Sequence, residues 1–231
     1  MLLLDEAIEA SGGIERWRRL TRFSLQLSID GSLFSRAGQA GRFRDIVAEG
    51  STRGQVVRVA GFAGPDKCGI YRPECVTIEG GGGGVLRCWS TPQKSLSDQV
   101  RDELYMIFIC GFSVWNLLTT PFRLVQPNTQ VEELPPLREG DKQWPRLRVV
   151  FPPSAMTYPA EQVLYYDDSR LLQRTDQNII GVKTAEYSSA HQAFHGIVIP
   201  TLRRSLVLTP DGGVAEKPSL LDVEIFDASF E

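Results

Sequence analysis

One segment of this chain is apolar on every side of a helix, while nearly everything around it alternates with period two. Between Asp98 and Thr119 the apolar residues are Leu104, Met106, Ile107, Phe108, Ile109, Phe112, Val114, Trp115, Leu117 and Leu118. A surface helix carries a single apolar stripe, so a helix with this pattern is buried on most sides. It does not read as a membrane span, because Gly111, Ser113 and Asn116 interrupt it and it falls short of the roughly 18 apolar residues that a span needs. Ser97 or Asp98 is the expected cap, and Asp102 and Glu103 suit the positive end of the helix dipole. Thr119-Thr120-Pro121 stops the helix, and Gly111 allows another element to approach it closely. Other structure must therefore wrap around this helix.

The rest of the chain supplies that wrapping. Residues 3–20 read as an amphipathic helix or helix pair, with Leu4, Ala7 and Ile8 on one face, a break at Ser11-Gly12-Gly13, and Ile14, Trp17 and Leu20 continuing. From Thr21 the period becomes two, and Leu25, Leu27 and Ile29 form a half-buried strand ending at Gly31. Strands are expected at 43–48, 55–62, 68–71, 76–79 and 85–90, then at 130–134, 146–151, 161–166, 171–178, 183–194, 197–208 and 221–226. Gly80 to Gly84 lies between two of them and reads as a hairpin tip. A phosphate loop would need a helix after it, and Val85-Leu86-Arg87-Cys88-Trp89 reads as strand. Asp167-Asp168-Ser169-Arg170 and Asp211-Gly212-Gly213 are hairpin turns. In the segment 197–208, Leu202, Leu206 and Leu208 alternate with Arg203, Ser205 and Val207. That pattern puts the leucines on the apolar side, where Arg204 also falls.

The fold class is therefore mainly β (α+β). The expected architecture is a single, strongly curved antiparallel sheet of about 11 or 12 strands. It forms an unclosed half-barrel around the central helix, with an N-terminal helix beside it. No linker or repeat divides residues 1–231, so one domain is expected.

Composition excludes several function classes. Lys plus Arg number 25 against 28 Asp plus Glu, giving net −3, whereas a nucleic-acid binder carries a basic excess. The leucines at the start run straight into Asp5, Glu6 and Glu9, which is not the pattern of a secretory signal. The four cysteines, Cys68, Cys75, Cys88 and Cys110, have no C-x-x-C spacing, so reduced thiols in the cytoplasm are expected and a zinc site is not.

Two motifs carry a family resemblance. The opening Ala7-Ile8-Glu9-Ala10-Ser11-Gly12-Gly13-Ile14-Glu15-Arg16-Trp17 is similar to the "A-x-G-G-x-E-R" start of soluble LolA-like proteins. Gly111-Phe112-Ser113-Val114-Trp115-Asn116-Leu117-Leu118-Thr119-Thr120-Pro121-Phe122 resembles the "G-x-x-x-W-N-Y-L-T-T-P-F" segment of an uncharacterised cytoplasmic branch. Leu147-Arg148-Val149, Tyr165-Tyr166-Asp167 and Pro200-Thr201-Leu202-Arg203-Arg204 resemble that branch as well. The resemblance to the LolA-like, outer-membrane lipoprotein-sorting half-barrel family covers most of the chain. It implies an unclosed barrel of about eleven strands with helices plugging a hydrophobic cavity.

Candidate site residues follow from the central helix and the two histidines. Phe108, Phe112, Tyr105, Trp89 and Trp115 are the aromatic candidates for lining a cavity, and each could equally be core. Asn116 sits among Trp, Phe and Leu, where it must find partners. It either orients a ligand's carbonyl or hydroxyl or bonds the backbone of a neighbouring strand. His191, near neutral in its unperturbed pKa, is a candidate general base or ligand contact or a structural histidine. His191 and His195 would share a metal on a helix, but on a strand four residues span about 13 Å. No serine occupies a G-x-S-x-G elbow. Cys110 reads as packing, and Asp167 and Asp168 as a solvated turn. Of Glu161, Asp176 and Glu186, one could face the cavity.

The expected function is a cytoplasmic binding protein that holds a lipid or other apolar small molecule in a half-barrel cavity, with no cofactor. The alternative is a cofactor-independent cyclase or isomerase acting on an apolar natural-product intermediate, working by shape and one or two hydrogen bonds. A protein-partner scaffold would need an exposed apolar patch on the convex face, against which the polar alternation of several strands argues.

Overall fold

A computed structural model describes residues 2–92, 101–140, 142–155, 159–179, 181–209, 213–215 and 218–231. In chain order the elements are α1 (Leu2–Ala10), α2 (Ile14–Arg19), β1 (Arg22–Asp30), α3 (Ser32–Arg36), β2 (Ile46–Ser51), β3 (Val57–Gly61), β4 (Gly64–Tyr71), β5 (Cys75–Gly80) and β6 (Val85–Ser90). After these come α4 (Glu103–Thr119), β7 (Gln130–Glu139), β8 (Lys142–Val150), β9 (Glu161–Tyr166), β10 (Leu172–Ile179), β11 (Val182–Phe194), β12 (Ile197–Val207) and β13 (Leu221–Phe230). Every strand expected from the alternation is present, and the described residues form thirteen strands, two more than the family resemblance implies. They fall into two compact units, residues 19–118 with 220–231 and residues 1–18 with 119–219.

In the unit of 19–118 and 220–231 the strand order is β6-β5-β4-β3-β2-β1-β13, with each neighbouring pair antiparallel. Phe23, Leu25, Leu27 and Ile29 of β1 are buried, as their alternation requires. Phe43 was expected to open a strand. It instead lies in a loop before β2, where it stacks on Phe62 with ring centroids 5.1 Å apart and meets the edge of Phe34. The glycine run does form the β5–β6 hairpin tip, closed by the Gly80 N–H to Gly84 carbonyl bond of 2.9 Å. The cap of α4 is Asp102, whose Oδ1 accepts from the Leu104 and Tyr105 N–H groups at 2.9 and 3.3 Å. Ser97 and Asp98, the expected caps, lie outside the described residues.

In the unit of 1–18 and 119–219 the order is β12-β11-β10-β9-β8-β7, again antiparallel throughout. β7 continues to Glu139, past Pro135 and Pro136, where the sequence pattern ends at Leu134. Among the described residues the strand has a neighbour on one side only, and it shifts register between Leu134 and Leu137, so the missing N–H groups break no ladder that needs them. The Asp167–Arg170 turn is a hairpin as expected, with Arg170 in the left-handed region at φ 63° and Asp167 Oδ1 accepting from the Leu171 N–H. Asp211 and Gly212 of the other expected turn lie outside the described residues.

The last residues of the two family-like motifs, Trp17 and Phe122, meet in this unit. Gly12 has φ +115°, and a side chain there would put Cβ 2.2 Å from the Gly196 carbonyl oxygen, while the Val198 N–H donates to the Ser11 carbonyl at 3.0 Å. Trp17 stacks on Phe122 with centroids 4.5 Å apart and planes within 5°. These residues dock the N-terminal helices onto the β11–β12 hairpin and onto Phe122. That role is structural.

Candidate functional site

α4 sets the chemistry of the unit of 19–118. Residues Leu104 through Thr119 are all buried, and the helix approaches the strands through glycine. A Cβ on Gly69 of β4 would lie 2.3 Å from Ile107 Cδ1, and one on Gly111 of α4 would lie 2.3 Å from Tyr71 Cβ. With Ile107 and Gly111 turned to β4, a different stripe of the helix carries Tyr105, Phe108, Phe112 and Asn116, spaced three or four residues apart.

Four of the aromatic candidates are brought together on that stripe. Trp89, the one buried side chain of β6, stacks with Tyr105 at 6.3 Å and packs against Phe108 at 5.5 Å. Phe108 stacks with Phe112 at 5.9 Å, and Tyr71 meets Phe108 edge-on at 5.7 Å. Tyr71 was missed in the sequence, where it is one aromatic in a short strand. Its hydroxyl accepts from Gln55 Nε2 at 2.8 Å. Burial pushes the Tyr105 phenol up and the Cys110 thiol up to about 12, so neither ionises near neutral pH.

Asn116 is the polar point of the stripe. It is 9% exposed, and its Oδ1 is buried without a hydrogen-bond donor among the described residues. Trp115, also buried, is its neighbour in sequence. A buried carboxamide oxygen beside stacked rings accepts a hydroxyl or N–H; a carbonyl offers it nothing.

His191 belongs to the other unit. It lies in β11, which runs on to Phe194, and His195 follows in the turn at φ 53°. Burial lowers the pKa of His191; Asp167 and a bond to the Leu172 backbone oppose the shift and Arg203 adds to it. The imidazole is thus neutral near pH 7.

The three carboxylates separate cleanly. Glu161 is exposed and pairs with Arg148 at 2.7 Å. Asp176 is half-buried, accepts from Tyr165 at 2.8 Å and holds Arg174 with two bonds of 2.6 and 3.0 Å. Glu186 is buried, 3.2 Å from Arg203, and accepts from Ser205 at 3.0 Å. β12 thereby reverses the sequence expectation, since Leu202 and Arg204 are exposed while Arg203 and Ser205 are 5% exposed. The hydrophobic alternation pointed the wrong way because the polar row finds its partners on β11.

Comparison with solved structures identifies the architecture. A LolA superfamily protein from Nitrosomonas europaea superposes with a TM-score of 0.55 at 9% identity, covering 97% of this chain and 92% of its own. The fold is LolA-like. A DUF1329 family protein from Desulfovibrio piger superposes with a TM-score of 0.52 at 10% identity, over 100% of this chain and 92% of that one. No family model matches the chain, and no curated protein does.

Proposed function

We propose that this LolA-like chain is a binding protein for a lipid or other apolar small molecule bearing a hydroxyl. The molecule lies against the Tyr105–Phe108–Phe112 stripe of α4 and its hydroxyl donates to Asn116. The observation that carries the reading is the buried Asn116 Oδ1 without a donor among the described residues, one turn from Phe112. Leaving a buried acceptor unsatisfied costs about 1–3 kcal/mol, and a ligand hydroxyl would recover it while the rings take the alkyl part. An isomerase would instead need a group ready to move a proton beside Asn116. The titratable residue of the stripe, Tyr105, is held protonated by burial.

The test is a titration read by tryptophan fluorescence, since Trp89 packs on the stripe and Trp115 adjoins Asn116. With 1-decanol and decyl methyl ether as probes, the alcohol should bind about fivefold tighter or more, the value of one ordinary hydrogen bond. Equal affinity for the two probes, or no binding of either, contradicts the reading.

A further inference from the structure

In the unit of 1–18 and 119–219, β11 and β12 bury the side on which they are polar. Glu186, Ser188, Arg203 and Ser205 are between 3% and 7% exposed. Glu186 faces Ser205 and Ser188 faces Arg203 across the ladder. Part of this row is satisfied, because Arg203 and Ser205 both reach the Glu186 carboxylate. The remainder is not. Ser188 Oγ, Arg203 Nε, His191 Nε2 and the Tyr166 hydroxyl are all buried, with no hydrogen-bond partner among the described residues. Ser188 pairs with Arg203 across β11 and β12, the charge of Arg203 reaches His191 farther along β11, and Tyr166 pairs with Leu172 on the adjoining β10. Four such atoms in one neighbourhood are more than a packed interior leaves unpaired by chance.

We propose that this row is a second binding site, which takes an uncharged polar group offering both a hydrogen-bond donor and an acceptor, such as a carboxamide, on an alkyl chain. Charge sets the first condition. Arg203 is already neutralised by Glu186, so an anion would have to share a buried cation that has its counter-ion. Hydrogen-bond capacity sets the second. Arg203 Nε and the Tyr166 phenol, which burial keeps protonated, are donors, and Ser188 serves either way. Burial keeps His191 neutral, so its unpartnered Nε2 can accept or donate. Leu147 and Leu164 continue the Glu186 row across the sheet through Thr175, and both are fully buried. They give the alkyl part its place. This site shares no residue with the α4 stripe and stands independently of it.

The chain has two histidines, so protein labelled with 15N-histidine gives a two-residue spectrum in which Nε2 of His191 reports directly. Octanamide should shift that resonance saturably and leave His195 unmoved. N,N-dimethyloctanamide, which lacks the donor, and octanoate, which is charged, should each bind several-fold more weakly. Ser188→Ala and Tyr166→Phe remove buried atoms that bond nothing else among the described residues, so both variants should melt no lower than the parent. Each should bind octanamide about two- to tenfold more weakly, the span of one ordinary hydrogen bond. A His191 resonance that octanamide leaves in place, or variants that bind it as the parent does, would overturn the assignment. If 1-decanol still discriminates at α4 in that case, the second site falls alone. If octanamide binds here while decanol and its ether are equal, the α4 reading falls alone.

Discussion

Replacing Asn116 with leucine separates what the α4 stripe does for stability from what it does for binding. The two side chains have nearly the same shape, and the position is 9% exposed in a helix of buried neighbours. The substitution removes an acceptor that has no donor among the described residues, a burden of about 1–3 kcal/mol. Leucine is also the better helix former, by a few tenths of a kcal/mol. The ligand-free variant should therefore be more stable than the parent by about 1–3 kcal/mol. At about 2–4 °C per kcal/mol for a chain of this size, its melting temperature rises by several degrees. The same variant should lose the preference for 1-decanol over decyl methyl ether, because both probes then meet only hydrocarbon. Thermal unfolding followed by circular dichroism gives the first number and the fluorescence titration the second. A variant destabilised by about 1 kcal/mol or more, with the alcohol preference intact, would show that Asn116 is an ordinary satisfied core residue with no part in binding.

Three further outcomes follow from the geometry. Gly111→Ala should destabilise the protein by about 1–3 kcal/mol through overpacking, despite alanine's higher helix propensity, because its Cβ would sit 2.3 Å from Tyr71 Cβ; chemical denaturation measures this, and a neutral result would contradict the close approach of α4 to β4. Arg203→Met should cost about 3–5 kcal/mol by leaving Glu186 buried and unpaired, and adding Glu186→Gln should restore much of the loss, as a double-mutant cycle will show. The pKa of His191 is lower in the fold than in the unfolded chain, so its contribution is complete above the unfolded value near 6.5 and is lost as pH falls from there through the folded value. His191→Gln should accordingly flatten the fall in stability below pH 6.5, before carboxylate protonation takes over, in denaturation curves at half-unit pH intervals.

Much of the fold was legible because period two and period 3.6 are physical facts about which side of an element meets water. All thirteen strands coincide with segments whose alternation marks them. α4 is as buried as its all-round apolar pattern demands. What was not legible depends on distant partners. Phe43 reads as strand until Phe34 and Phe62 are seen to enclose it in a loop. β7 passes through two prolines because it has one sheet neighbour among the described residues, a fact of topology that no local pattern carries. Arg203 and Ser205 read as solvated positions, since nothing near them in sequence announces Glu186 on the preceding strand. The candidate site divides in the same way. Trp89, Tyr105, Phe108 and Phe112 do converge, because three of them share one helix face. His191 belongs to the unit of 1–18 and 119–219 and has polar neighbours there.

The proposed role of the aromatic stripe of α4 is to hold an apolar molecule. Native mass spectrometry of the protein purified from its own host, followed by denaturing extraction, tests it most directly. The expected result is an adduct that denaturation releases as an apolar metabolite bearing a hydroxyl, and that Asn116→Leu protein carries in smaller amount. A protein that flies without adduct, and that binds neither 1-decanol nor a hydrophobic dye when these are added, would contradict it.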